Sequence, residues 1–305
     1  MKRYFACSDI HGFYDELIDA LTYAGFDSKD PEHILIVCGD IFDRGGKPKE
    51  VYSFLKSLPK ERRILIRGNH ETCLKEMCER GFAMRHDMHN RTYHTALALA
   101  NVKEDFAFDW CAAHEGEFND AFMKSGDDSS AFDAFIRKRD AFIERTNERI
   151  FNGKLITKIL DWIDSDEWVD YAEIGKYVFV HAFIPTREKH VEDDFRPVKD
   201  DYDPDWRNAS RERWDAAKWG CPWKLYIDGL FEKEEKKGKI LVCGHWHTSE
   251  FWNRLDYAHD LKRWLVVDED NPIYKSDKYP GLIGLDACTA LTHKVNVLVL
   301  NEEEM

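Results

Sequence analysis

The sequence has 305 residues, of which 43% are hydrophobic and 13% aromatic, a composition typical of a globular protein that buries a full-sized core. Its formal net charge of −14 at pH 7 disfavours a broad nucleic-acid-binding or membrane-binding surface. No stretch approaches the roughly 20 apolar residues of a membrane span, and the N-terminal residues lack the apolar core of a secretory signal. We therefore expect a cytoplasmic protein that acts on neither membranes nor long nucleic acid.

The eight cysteines include no pair at C-x-x-C spacing. Cys7, Cys38 and Cys243 each lie in or beside an apolar run. Such spacing disfavours a structural zinc site made of thiolates, so we expect reduced, buried thiols.

The first 71 residues alternate between predicted strands, at 4–8, 34–38 and 63–66, and predicted helices, at 13–25 and 51–58. Each strand leads directly into a polar cluster. Because ligands collect at the carboxyl ends of strands in α/β sheets, we expect the clusters to share one edge. Their members are Asp9 and His11, then Asp40, Asp43 and Arg44, then Arg67, Asn69 and His70.

The segment from about 72 to 172 has a different pattern. It is rich in Phe, Trp, Ala and charged residues, and it has no strand-like alternation. Apolar spacing predicts helices near 72–80, 92–100, 129–148 and 153–164. We interpret this segment as a helical insertion or cap within a single domain of residues 1–305.

Strand character returns at 176–180, which ends in His181, and at 240–243, which is followed by His245 and His247. Three later apolar segments fit strands of a second sheet packed on the first. These segments are 264–267, 282–285 and 295–300.

Five strand ends therefore carry imidazole, carboxylate or amide groups. A single histidine at a strand end is more often structural than a ligand, but recurrence at one edge favours ligands. Such donors without thiolate suit Mn²⁺, Fe or Zn²⁺. Two metals about 3.5–4 Å apart and bridged by a carboxylate clamp the attacking and leaving oxygens of a phosphate ester. The pattern predicts a metal centre with Asp40 as its shared ligand.

Five motifs occur in the order DIHG (9–12), GDIFDRG (39–45), RGNHE (67–71), VFVHA (178–182) and GHWHT (244–248). This series resembles the calcineurin-like metallophosphoesterases, and within them the branch of Ser/Thr protein phosphatases and symmetrical diadenosine tetraphosphatases. The resemblance covers 4–71 and 176–248 well. It implies an α/β fold (an α+β sandwich) of two packed mixed β-sheets flanked by helices, with the helical insertion added.

The resemblance also implies residue roles. A first metal would be held by Asp9, His11 and Asp40, and a second by Asp40, Asn69, His181 and His245. Mn²⁺ is the expected metal, with Fe or Zn²⁺ as alternatives. A hydroxide bridging the two metals would attack phosphorus, His70 would protonate the leaving oxygen with Asp43 orienting it, and Arg44 and Arg67 would bind phosphate oxygens.

Several assignments stay open at this point. His247 is either a further metal ligand or a structural residue outside the ligand set. Arg67 either binds phosphate or pairs with Asp43. A further phosphate-binding arginine has three candidates, Arg207, Arg211 and Arg213.

Three functions fit these observations. The first is a phosphomonoesterase resembling bacterial and phage Ser/Thr protein phosphatases, acting on a phosphorylated protein or a small phosphoester. The second is a nucleotide pyrophosphohydrolase of the diadenosine tetraphosphatase type. The third is a metal-binding interaction module without catalysis. The motifs do not determine the substrate or the oligomeric state.

Overall fold

The computed structural model describes residues 1–124, 130–189, 199–257 and 271–304, which form two compact units. The first unit is Met1–Thr72 together with Trp162–Met305, and the second is Cys73–Asp161. The predicted helical insertion thus contains a unit of its own, which ends earlier than residue 172. The organisation of the whole chain as one domain stays a prediction.

The first sheet has five strands in the order β12-β1-β2-β3-β4, all of them in the first unit. β1 to β4 pair in parallel, and β12 pairs antiparallel to β1. Every residue of β2 is buried, as expected for a central parallel strand covered on both faces. The strands are β1 (Arg3–Cys7), β2 (His33–Cys38), β3 (Arg63–Ile66), β4 (Trp168–Val169) and β12 (Leu298–Asn301).

The second sheet has the order β10-β11-β9-β6-β5. Its three central strands are parallel, and both edge strands are antiparallel. The strands are β5 (Tyr171–Ile174), β6 (Tyr177–Val180), β9 (Ile240–Cys243), β10 (Tyr274–Lys275) and β11 (Leu282–Gly284). A separate antiparallel pair is formed by β7 (Thr186–Lys189) and β8 (Lys199–Tyr202).

The two sheets pack face to face through a buried apolar layer. Ile36 and Ile66 of the first sheet share this layer with Phe179 and Val242 of the second. Burial of such side chains is worth roughly 1.5–3 kcal/mol each. The predicted architecture of two packed mixed sheets flanked by helices is confirmed.

The first unit contains helices as well as the two sheets, and the described part of the second unit consists of helices and their connections. In the first unit, Leu17 and Leu21 of the helix Tyr14–Tyr23 are four residues apart and buried, which is the amphipathic pattern read from the sequence. The other helices of the first unit are Pro48–Ser57, Arg211–Ala217, Pro222–Ile227, Glu232–Glu235, Thr248–Phe251 and Thr289–Thr292. The second unit contains Arg85–His89, Thr92–Ala100, Phe106–Ala113, Glu115–Lys124 and Ser130–Phe151, and the helices Asn69–Arg80 and Lys154–Ile163 each include a boundary between the units.

Two predictions about strands are wrong. The segment 72–172 was expected to lack strands, but β4 and the start of β5 lie in it. β4 has only two residues, and β5 is a half-buried edge strand, so neither produces a measurable alternation. The last predicted strand, 295–300, was assigned to the second sheet, whereas β12 pairs with β1 in the first. The predicted strand at 264–267 lies outside the described residues.

Only six of the eight cysteines are buried, because Cys111 and Cys221 are partly exposed. Cys111 lies on the helix Phe106–Ala113, which has no fully buried residue. Within the described part of the chain, no helix is both long and apolar enough to cross a bilayer.

Candidate metal centre

The predicted ligands lie on loops that follow strands, except Asn69, which is the first residue of the helix Asn69–Arg80, and all of them are in the first unit. Four of them have left-handed backbone, with φ of +52° at Asp9, +50° at His11, +55° at Asp40 and +66° at His245. Residues other than glycine rarely adopt this conformation, and it costs of order 1–3 kcal/mol each. Such strain concentrates where side chains must be aimed at a site.

A first group of ligand atoms converges on the Oδ2 side of Asp40. His11 Nε2 lies 3.9 Å from Asp40 Oδ2 and 3.8 Å from Asp9 Oδ1. His11 Nδ1 lies 2.9 Å from the carbonyl oxygen of Phe42, and an N–H at Nδ1 donates to it. That hydrogen bond fixes the tautomer, so the lone pair of Nε2 faces the two carboxylates.

A second group converges on the Oδ1 side of the same carboxylate. His181 Nε2 lies 3.5 Å from Asp40 Oδ1, 2.8 Å from Asn69 Oδ1 and 3.3 Å from His245 Nδ1. His181 Nδ1 is 2.8 Å from the carbonyl oxygen of Cys38, to which its N–H donates. Nε2 is then an acceptor that faces the amide oxygen of Asn69, also an acceptor. A cation between the two atoms resolves this arrangement, so the residues fit a metal.

Asp40 therefore offers one oxygen to each group, as the sequence predicted for a shared ligand. Its Oδ1 also accepts a hydrogen bond of 2.9 Å from the backbone N–H of His70. Burial alone would raise the pKa of Asp40, but the imidazoles of His181, His70 and His11 hold it below its usual range. Asp40 is thus ready to bind a cation in its ionised form.

Three other predicted ligands, Asp9, His11 and His245, have pKa values shifted mainly by burial. Burial raises the pKa of Asp9 to about 6, against the lowering effect of His181. Burial, reinforced by His181, lowers the pKa of His245 to about 3, and burial also lowers that of His11. Both imidazoles are therefore neutral at pH 7, the protonation state that ligates metal.

In the described part of the chain, two groups of titratable side chains could each hold a metal ion. They are His11–Asp40–His70 and Asp40–His181–His245, and within each group the potential ligand atoms all lie within 4.8 Å of one another. Asp9 lies beside the first group, at the distance from His11 given above. His247 belongs to neither group. It immediately precedes the short helix Thr248–Phe251, and a ligand role for it stays a prediction.

His70 and Asp43 form a pair beside the first group. His70 Nδ1 lies 2.6 Å from Asp43 Oδ2, and both side chains are buried. Burial lowers the pKa of His70, but the Asp40 charge and the hydrogen bond to Asp43 outweigh it and raise the pKa to about 9. His70 Nε2 is 3.9 Å from Asp40 Oδ2, so this nitrogen faces the centre.

Glu71 holds together the loop after β2 and the loop after β3, which carry or precede the predicted ligands Asp40 and Asn69. The sequence did not predict this role for Glu71. Its carboxylate accepts hydrogen bonds from the backbone N–H groups of Asp40 (3.0 Å), Ile41 (2.9 Å) and Gly68 (2.8 Å). A glutamate directly after the predicted proton donor, at the start of a helix, is the signal that could have revealed it.

Asp9 is positioned by hydrogen bonds as well. Its Oδ2 accepts from the Ser8 hydroxyl at 2.5 Å and from the backbone N–H of His245 at 2.9 Å. This approach requires Gly244, because a Cβ there would lie 1.8 Å from Ser8 Oγ. The first and last metal loops are therefore joined through Asp9.

The predicted phosphate-binding arginines differ in their surroundings. Arg44 is half-buried on the loop after β2, and its positive charge opposes protonation of His11, His70 and His245. Arg67 is buried and donates to the carbonyl oxygens of Ile163 and Ser165, at 3.2 Å each, and to Asp170 at 3.5 Å. The alternative pairing of Arg67 with Asp43 is wrong, because Asp170 takes that place.

The three candidates for a further phosphate-binding arginine, Arg207, Arg211 and Arg213, differ in their ion pairs and exposure. Arg207 pairs with Glu173 and Glu234, and Arg213 with Asp203. Arg211 is 43% exposed, is 3.3 Å from Asp215 on its own helix, and lowers the pKa of Arg67 through its charge.

This fold and this set of converging ligands define a metal-dependent phosphoesterase class. The model of the calcineurin-like phosphoesterase family matches residues 2–249, and the chain belongs to that family, whose members act on phosphate esters.

Two curated relatives match short segments of the chain. The asymmetrical bis(5'-nucleosyl)-tetraphosphatase PrpE of Bacillus velezensis is 40% identical over 74 residues, which is 22% of this chain and 30% of the relative. The symmetrical bis(5'-nucleosyl)-tetraphosphatase of Buchnera aphidicola is 36% identical over 74 residues, 24% of this chain and 25% of the relative. The chain thus matches less than a third of the length of either.

A solved structure, described as a putative diadenosine tetraphosphatase, is 13% identical and has a TM-score of 0.45. The match covers 98% of this chain and 89% of that one.

Proposed function

We propose that the chain is a dinuclear metal-dependent phosphoesterase that hydrolyses a phosphate monoester. The observation that carries the proposal is the division of Asp40 between two groups of ligand atoms, each completed by an imidazole with a fixed tautomer. Asp9 and His11 would hold one metal with Asp40, and Asn69, His181 and His245 the other. The nitrogen and oxygen donors favour Mn²⁺, with Fe or Zn²⁺ as alternatives.

Bound metals would supply an activated water and neutralise charge on the phosphate. The protein's own groups would do the rest. His70 donates a proton from Nε2 to the leaving oxygen, because its Nδ1 is held by Asp43. Asp43 orients the ring and favours its charged form.

The phosphate oxygens are bound by arginines. Arg44 borders the centre from the loop after β2. Among the three later arginines, Arg211 is the best candidate for a further phosphate-binding residue. Arg207 and Arg213 each form an ion pair with a buried carboxylate, whereas Arg211 is exposed and close enough to Arg67 to lower its pKa. Arg67 would contribute positive charge to the phosphate site while its hydrogen bonds to Ile163, Ser165 and Asp170 hold it in place.

A second candidate function is hydrolysis of a dinucleoside tetraphosphate. It is favoured by the activity for which both relatives are named, hydrolysis of bis(5'-nucleosyl) tetraphosphates. The same metal centre would serve, because both reactions attack a phosphorus atom and expel an oxygen leaving group.

The test uses purified protein, stripped with a chelator and reloaded with Mn²⁺, Fe²⁺ or Zn²⁺. We expect phosphate release from p-nitrophenyl phosphate or a phosphoserine peptide. Asp40→Asn should lose both metals, measured by mass spectrometry, and lower kcat/KM at least about a thousandfold. Asp166→Asn is the control, because Asp166 is an 87% exposed carboxylate of the same unit.

The proposal fails if reloaded protein binds two metals and releases no phosphate from any of these esters. Product analysis with diadenosine tetraphosphate separates the second candidate. Two ADP, or ATP with AMP, formed faster than phosphate from the monoesters would favour the pyrophosphohydrolase.

A further inference from the structure

Trp219 is an exposed aromatic side chain beside a predicted metal ligand. Its surface is 56% exposed, although tryptophan is usually largely buried. Its ring centroid lies 6.0 Å from that of His245, with an angle of 88° between the planes. The indole therefore contacts the metal centre at one edge and leaves more than half of its surface accessible.

The segment that carries Trp219 is held rigidly. Lys218 is only 3% exposed, and its Nζ lies 2.6 Å from Asp215 and 3.7 Å from Asp170. Asp170 is also the carboxylate bound by Arg67. The residue before Trp219 is therefore anchored by the network that also holds Arg67, which restricts the positions open to the indole.

A cavity of about 600 Å³ adjoins the same segment. Its lining has an apolar part, formed by Phe183, Ala216, Ala217, Gly220 and Leu225, and a charged part, formed by Arg187, Asp200 and Arg213. Gly220 follows Trp219 directly, and Phe183 lies two residues after His181 in the chain. The segment of Trp219 thus borders a cavity that offers apolar as well as charged surface.

We propose that Trp219 is a specificity-determining residue that stacks on an aromatic ring in the leaving group of the substrate. This inference rests on the proposed phosphoesterase function and narrows its substrate to phosphoesters whose leaving group bears a planar ring. With the phosphate at the metal centre, a ring one bond or a few bonds away reaches the indole beside His245. Ring-on-indole stacking is worth about 1–3 kcal/mol, or roughly five- to 150-fold in kcat/KM.

Two kinds of leaving group bear a planar aromatic ring, nucleosides and phenols. The two sources differ in size and in the position of the ring relative to phosphorus. The experiment therefore includes both, with adenosine 5'-monophosphate and phenyl phosphate as aromatic esters and glycerol 2-phosphate as the aliphatic reference.

The measurement is the ratio of kcat/KM for each aromatic ester to that for glycerol 2-phosphate, in Mn²⁺-loaded protein. We expect Trp219→Ala to lower this ratio about tenfold for one aromatic ester at least, and Trp219→Phe to restore most of it. Phe82→Ala is the matched control, because Phe82 is also 56% exposed but lies in the second unit. Its ratio should equal that of the wild type.

A binding readout independent of turnover completes the test. Titration of adenosine 5'-monophosphate or phenyl phosphate should quench tryptophan fluorescence in the wild type and not in Trp219→Phe. The ester with the larger effect identifies the source of the ring.

Two outcomes would overturn the inference while leaving the phosphoesterase proposal intact. In the first, Trp219→Ala lowers kcat/KM equally for aromatic and aliphatic esters, which would mean that the indole only supports His245. In the second, the wild type hydrolyses all esters and no substitution changes the ratio. Absence of turnover on every ester by metal-loaded wild type would instead contradict the proposed function itself.

Discussion

His70 has contacts that fit two different roles. Its Nε2 is as far from Asp40 Oδ2 as His11 Nε2 is, 3.9 Å in both cases, which would suit a ligand. Its Nδ1, however, binds a carboxylate instead of a carbonyl oxygen, and this favours a charged ring. A charged ring cannot ligate a metal, so we assign His70 to proton transfer.

Replacing His70 with Asn separates the two roles. As a proton donor, His70 should contribute about 10²–10⁴-fold to kcat, while metal content stays at the wild-type value. Kinetics and metal analysis of the same preparation check both statements. His293→Asn, at a 67% exposed histidine, is the control. Loss of one equivalent of metal in His70→Asn would show that His70 is a ligand.

At the scale of elements, the site depends on how closely neighbouring strand ends approach. Gly39 directly follows the buried strand β2 and has φ of +84°, and a Cβ there would lie 2.6 Å from Gly68 Cα and 2.6 Å from His181 Nδ1. The glycine therefore allows the loops after β2, β3 and β6 to meet. Ligand convergence is a property of this contact and not of any single loop.

Gly39→Ala should accordingly disrupt the centre. The added methyl group must displace His181 or Gly68, at a cost of roughly 3 kcal/mol or more in the free energy of unfolding. Urea unfolding and metal titration measure the effect. Gly46→Ala is the matched control on the same loop, since a Cβ there meets nothing within 4 Å. Equal stability and metal affinity of the two variants would contradict this account.

At the scale of the whole molecule, the chain has a net charge of −14, and carboxylates held by hydrogen bonds in the folded state contribute to its response to acid. Glu167 joins three elements of the first unit, through Arg63 of β3, Lys56 of the helix Pro48–Ser57 and Trp162 Nε1. Burial by itself would raise the pKa of Glu167, but hydrogen bonds from Arg63, Trp162 and Lys56 lower it to about 2 from 4.5.

The stability contributed by Glu167 should depend on pH in one direction. Because its pKa is lowered in the folded state, the contribution is fully present above about pH 4.5 and is lost as the pH falls towards 2. We expect Glu167→Gln to be about 1–2 kcal/mol less stable than wild type at pH 7, with the difference shrinking below pH 4.5. Denaturant unfolding at several pH values measures it.

Glu61→Gln, at an exposed glutamate, should follow the wild type at every pH. A Glu167→Gln difference that does not change between pH 7 and pH 3 would exclude ionisation of Glu167 as its cause.

Much of the fold and of the site was predictable from the sequence, because each ligand follows directly after an apolar strand. The strand sets the ligand's place at the edge of its own sheet, parallel pairing aligns the strand ends within each sheet, and packing of the two sheets brings their edges together. For this reason the sequence alone predicts Asp9, Asp40 and His181 as candidate ligands. The two-residue strand β4 and the sheet to which β12 belongs could not be found in this way, because pairing over long sequence separations leaves no local pattern.

Only the tertiary structure decided how these residues work together. It gave one oxygen of Asp40 to each ligand group, fixed two histidine tautomers through carbonyl oxygens that lie far away in the sequence, and placed Glu71 across two loops. It also tied Arg67 to Asp170 and put Trp219 against His245. The sequence by itself determines which chemical groups reach the sheet edge, since that depends on local periodicity. Their mutual distances and hydrogen bonds depend on packing between distant segments, and so require the folded chain.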